Sequence, residues 1–115
     1  MDKTVFEMKL QPEPFEAIRS GKKIIESRLY DEKRKLIKIG DVIEFKKNPD
    51  LVETIKAEVV ALLNYPNFNS LFSDFPAENF GLPTKEGLLS QIEQFYPIEE
   101  QNKYGVLGIK IKLLQ

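Results

Sequence analysis

Residues 21–45 read GKKIIESRLYDEKRKLIKIGDVIEF, and the order of apolar and breaking residues in this stretch decides the fold. Lys23 to Tyr30 is rich in β-branched and large residues, framed by Ile24, Ile25 and Leu29, and predicts a strand. Asp31 to Lys35 is polar and predicts a turn or a single helical turn. Gly40-Asp41 punctuates before Val42, Ile43 and Phe45, a second strand that Asn48-Pro49-Asp50 breaks. The segment is also strongly basic. Between Arg19 and Lys38 lie eight basic and three acidic side chains, a net +5 in a chain whose total is −1. Such polarity suits a domain that meets a phosphate-bearing partner at one patch and not elsewhere.

On the N-terminal side, Thr4 to Leu10 alternates, with Phe6, Met8 and Leu10 on one strand face. Pro12 and Pro14 then open a helix of barely two turns, Phe15 and Ile18 give it an apolar pair, and Gly21 stops it. On the C-terminal side, Thr54 to Leu63 reads as a strand in the sheet interior, with helix as the alternative. Pro66 ends it. Asn67 to Phe72 predicts a short helix, with Phe68, Leu71, Phe72 and Phe75 spaced for one core-facing stripe. Thr84 is placed to cap a helix over Lys85–Phe95, whose apolar face is Leu88, Leu89, Ile92 and Phe95 or Tyr96, with Pro97 ending it. The tail alternates Ile109, Ile111 and Leu113 against Lys110 and Lys112. Many short strands without a regular βαβ rhythm predict one α+β domain over residues 1–115. Its form is a small barrel of mixed or antiparallel strands with peripheral helices.

What is absent narrows the chemistry. The chain has no His and no Cys, which excludes serine–histidine triads, cysteine nucleophiles and the usual zinc sites. No metal or cofactor is expected, and catalysis would have to use Lys, Glu, Asp, Tyr, Ser, Thr or Arg. There is no apolar run of membrane-spanning length and no signal-like N-terminus. Together with the lack of cysteine, this leads us to expect a cytoplasmic protein without membrane partners.

Pro14-Phe15 and Ile18, then Ser20-Gly21-Lys22-Lys23, Glu26-Ser27-Arg28-Leu29, Asp31-Glu32-Lys33-Arg34 and Gly40-Asp41-Val42-Ile43-Glu44-Phe45, resemble the ASCH domain family in order. The closing Tyr104-Gly105-Val106-Leu107-Gly108-Ile109 is similar to its last strand. The resemblance covers essentially the whole chain. It implies a barrel similar to the PUA domains of RNA-modifying enzymes, with a cleft beside the G-x-K segment. It also implies RNA or nucleotide binding. Some members of the family are hydrolases, including a subgroup that deacylates N4-acetylcytidine and a ribonuclease. By position the subgroup's catalytic lysine matches Lys23, and its catalytic threonine is replaced here by Glu26. Its third group, a glutamate, falls on Gly81 without a gap, or on Glu78 with one.

Three functions follow as expectations. The first is binding of RNA or a modified nucleoside or nucleotide through a basic cleft, with Lys22, Lys23, Arg28, Lys33, Arg34 and Lys35 as contacts. Tyr104 is the preferred stacking surface ahead of Tyr30 and Tyr65. The second is a hydrolase in which Lys23 and Glu26 meet in one pocket. The third is a protein-interaction module with an unnamed protein partner, which requires the apolar Phe68–Phe80 segment to be exposed. Glu26 and Arg28 lie two residues apart and share a strand face, whereas Lys23 faces the other way unless the strand begins after it or bulges. Each residue also has a plainer reading: a Glu-Arg ion pair closing the barrel, or a solvated charged turn at Lys33–Lys35.

Overall fold

The computed structural model describes residues 4–114; Met1 to Lys3 and Gln115, the ends of the expected domain, lie outside the described residues. Five strands are described: β1 (Val5–Leu10), β2 (Ile25–Leu29), β3 (Val42–Lys47), β4 (Thr54–Tyr65) and β5 (Val106–Leu113). With them are four helices: α1 (Pro12–Arg19), α2 (Phe68–Asp74), α3 (Lys85–Ile92) and α4 (Ile98–Tyr104). Single 3-10 turns occupy Arg34–Leu36 and Ala77–Phe80. No helix among the described residues is long and apolar enough to cross a membrane.

The sheet runs β1-β3-β4-β5-β2, parallel between β1 and β3 and antiparallel elsewhere, and forms a half-barrel. β1 and β2 are therefore its two edges. Asp41 anchors the start of β3 rather than facing solvent. One carboxylate oxygen accepts the Thr4 N–H at 3.2 Å, and the other accepts that of Lys38 at 2.9 Å. β4 is a strand throughout, not a helix, and a bulge between Val59 and Ala61 lets its 12 residues curve along β5.

Two apolar clusters sit on opposite sides of the sheet. Met8, Leu10, Phe15, Ile18, Ile43, Phe45, Leu107 and Ile109 fill the barrel under α1. Ile25, Leu29, Phe68, Leu71, Phe72, Phe80, Leu88 and Val106 pack the helical side. Phe15 and Ile18 are fully buried, so two side chains hold a two-turn helix, each contributing roughly 1.5–3 kcal/mol of burial. The helical aromatics form an unbroken chain of ring contacts from Tyr65 through Phe75, Phe80, Phe72 and Phe68 to Tyr96.

Two features differ from the sequence reading. The helix expected to reach Phe95 ends at Ile92, and a further helix, α4, occupies residues 98–104. Leu88 is the one fully buried side chain of α3, too narrow an apolar stripe to carry it further. In α4 the buried residue is polar. The Gln101 side chain donates to the Tyr96 carbonyl at 2.9 Å and accepts the Phe68 N–H at 3.0 Å, tying α4, the α3–α4 connection and the start of α2 together.

Candidate functional site

Lys23 precedes β2 and so escapes the strand's alternation. Gly21, at φ +83°, turns the chain out of α1. The Lys23 N–H then returns to the Ala17 carbonyl at 2.9 Å, and that of Ile24 bonds the Asn79 carbonyl at 2.9 Å. This places the Lys23 side chain beside Glu26. A Cβ on Gly81, itself at φ +101°, would lie 3.3 Å from Lys23 Cδ. Gly81 thus brings its backbone directly against this lysine and adds no side chain there.

Glu26 is the centre of the arrangement. Lys23 Nζ lies 2.7 Å from its Oε1, and Arg28 Nε donates to its Oε2 at 2.7 Å. A second Arg28 nitrogen donates to the Lys9 carbonyl at 3.1 Å, so one guanidinium spans from edge strand β2 to edge strand β1. Burial alone would push the Glu26 carboxyl up, but the Lys23 and Arg28 charges and hydrogen bonds outweigh it and hold the group at about 2. Burial works against the Arg28 charge too, and Glu26 with the Tyr96 phenol more than restores it, holding the guanidinium above its ordinary range.

Around this triad opens a cavity of about 380 Å³, within the range typical of small-molecule sites. It lies at the seam between the two sheet edges. Lys9 and Leu10 of β1 line it from one side, and Glu26, Ser27 and Arg28 of β2 from the other. The far wall is helical. Among its charged lining residues are three cations and one carboxylate, a net +2. No group of three His, Cys, Asp or Glu side chains among the described residues is arranged to hold a metal ion.

Lys23, Glu26 and Arg28 converge on the cavity, but the other expected contacts do not line it. Lys33 and Arg34 border a separate shallow depression with Phe6, Glu7, Met8 and Ile37. Arg34 is held by Asp31 at 2.7 Å, and Lys35 by Glu32 at 3.3 Å with its ammonium 5.6 Å from the Tyr30 ring centre. Lys22 is exposed beside Gly21. Tyr104 does not line the cavity. It ends α4 and packs on the helical cluster, with the Lys103 ammonium 5.1 Å from its ring centre. The Tyr65 hydroxyl donates to Asp74 at 2.6 Å. Phe68, Leu71, Phe72 and Phe80 are core, so the apolar surface that a protein-interaction module required of this segment is not there.

The sequence carries no sign of the far wall, Gln91 of α3 with Gln94, Phe95 and Tyr96 of the connection to α4, nor of Lys9. By spacing, Phe95 and Tyr96 are alternatives for one core position. In fact Tyr96 enters the aromatic chain while Phe95 stays 58% exposed at the cavity. Gln91 and Gln94 carried no signal, since polar residues on a helix usually mark a solvated face.

The pattern of the ASCH domain matches residues 8–115. Among solved structures, the hypothetical protein PH0355 superposes with a TM-score of 0.85 at 38% identity, over 96% of this chain and 100% of that one. Protein PF0455 from Pyrococcus furiosus gives 0.77 at 38% identity, over 97% and 99%. The ASCH protein from Zymomonas mobilis gives 0.70 at 20% identity, over 96% of this chain and 68% of that one, a likeness of fold alone. No curated protein matches the sequence. With its half-barrel, its G-x-K segment at the seam and a family match over nearly its full length, the chain belongs to the ASCH domain family.

Proposed function

We propose that this domain binds single-stranded RNA, or a nucleotide-like piece of it, in the cavity at the barrel seam. The observation that carries the reading is the positive charge gathered there: Lys9, Lys23 and Arg28 against Glu26, ionised at neutral pH. Cations held in a partly desolvated cleft attract an anionic ligand more strongly than solvated ones. The guanidinium adds planar donors suited to phosphate or carbonyl oxygens. Both depressions border β1, so a strand leaving the cavity along that edge passes Lys33 and Arg34, which supply phosphate contacts without reading sequence. Fluorescence anisotropy with a labelled single-stranded RNA tests this. Lys23→Ala, checked by thermal melting, should weaken binding by about tenfold, the scale of a lost charge-assisted contact. Equal affinity for wild type and variant refutes it.

The 2.7 Å contact between Lys23 and Glu26 supports a second reading, a hydrolase acting on an acylated nucleoside such as N4-acetylcytidine, or on RNA itself. It is weaker, because a carboxyl held at about 2 is a poor proton acceptor and its partner amine is engaged as an ion pair. Turnover of N4-acetylcytidine or RNA by wild type, lost in both Lys23→Ala and Glu26→Ala, would reverse the order of the two readings.

A further inference from the structure

The cavity has two unlike walls. The sheet side is charged, as described; the helical side combines buried Phe72, Phe80 and Leu88 with Gln91, Gln94 and Phe95. Each glutamine amide carries both donors and an acceptor, so the pair is equipped to read a polar edge. Phe95 is the anomaly. It is 58% exposed, and the chain of ring contacts from Tyr65 to Tyr96 leaves it out among the described residues. Yet its backbone is fixed: its N–H donates to the Ile92 carbonyl at 3.0 Å, and the next carbonyl, of Tyr96, accepts from buried Gln101 at 2.9 Å. A large apolar ring is thus held at the mouth of a cationic cavity with no aromatic partner of its own.

Resting on the RNA reading above, we propose that a single unpaired nucleobase enters this cavity, stacks on Phe95 and presents its hydrogen-bonding edge to Gln91 and Gln94. The adjoining phosphate meets Lys9. A flat heterocycle joined to an anion matches both walls at once. An aliphatic chain leaves the amides and the net +2 charge unanswered, and an inorganic anion leaves Phe95 bare. Bases splayed from a single strand are the usual partners of such aromatic platforms.

The experiment compares a single-stranded oligoribonucleotide with an abasic ribose-phosphate strand of equal length, against wild type, Phe95→Ala, Phe95→Tyr and the double variant Gln91→Ala/Gln94→Ala. Because the Phe95 ring is mostly exposed, its replacement leaves the core intact, which a melting curve verifies. Wild type should prefer the base-bearing strand by roughly 10- to 100-fold, the range of one stacked base. Phe95→Ala should erase that preference and Phe95→Tyr retain it. The double variant should lower the preference and alter its dependence on base identity. A preference undiminished in Phe95→Ala overturns the proposal. Equal binding of both strands by wild type overturns it too but leaves the RNA reading standing, whereas binding of neither strand removes both.

Discussion

Glu26, 3% exposed, persists as a carboxylate because Lys23 and Arg28 each stand 2.7 Å from one of its oxygens. The same three charges make the domain sensitive to acid. Folding lowers the Glu26 pKa from an ordinary 4.5 to about 2, so its contribution is complete above the unfolded value and is lost as pH falls towards the folded one. At 1.36 kcal/mol per unit this amounts to about 3 kcal/mol. Denaturant melts between neutral pH and about pH 2 should therefore show stability falling below about pH 4.5. Glu26→Gln should begin about 3–5 kcal/mol less stable, since two largely buried cations lose their counter-charge, and should show a flatter acid limb. If the variant keeps the wild-type acid profile, exposed carboxylates such as Glu16 and Glu53, also lowered by their basic partners, carry the sensitivity instead.

At the scale of elements, the helical wall depends on a polar residue. Gln101→Leu keeps much of the side-chain volume but leaves the Phe68 N–H without its acceptor and the Tyr96 carbonyl without its donor. Buried and unpaired, these groups should cost about 2–4 kcal/mol in chemical denaturation. A loss below about 0.5 kcal/mol, the scale of an ordinary surface change, would show that α4 is held by other contacts. This dependence also explains what the sequence could and could not reveal. β1, β3 and β5 were legible because one face is buried and period-2 alternation survives in Met8/Leu10, Ile43/Phe45 and Ile109/Ile111. α4 was not, because IEEQNKY offers one large aliphatic residue, Ile98, and leaves it 49% exposed while burying a glutamine. Glu26 and Arg28 could be assigned to one face from spacing alone. That Lys23 joins them depended on where β2 begins, and its contact with Gly81 joins residues far apart in the chain.

Across the whole molecule, charge and topology meet at the same seam. The chain totals −1, so the net +5 between Arg19 and Lys38 leaves −6 for the rest, and an approaching polyanion is repelled from most of the surface. Parallel pairing of β1 with β3 puts β1 at one edge and β2 at the other, and Arg28 bridges the gap through the Lys9 carbonyl. The basic turn after β2 is thereby carried next to β1, beside the second depression and outside the cavity. Its three cations are unequal, because Arg34 and Lys35 already have acidic neighbours while Lys33 is exposed. Replacing Lys33, Arg34 and Lys35 together by Ala should thus reduce the salt dependence of RNA binding without erasing affinity. Each phosphate neutralised on a single strand contributes a slope of about 0.7 in log K against log salt, so the triple change should lower the slope by roughly 1–2. Base preference, set inside the cavity, should be unaltered. An unchanged slope over a salt titration would mean that the turn is only a solvated surface, and that the few charges at the seam carry the whole electrostatic attraction.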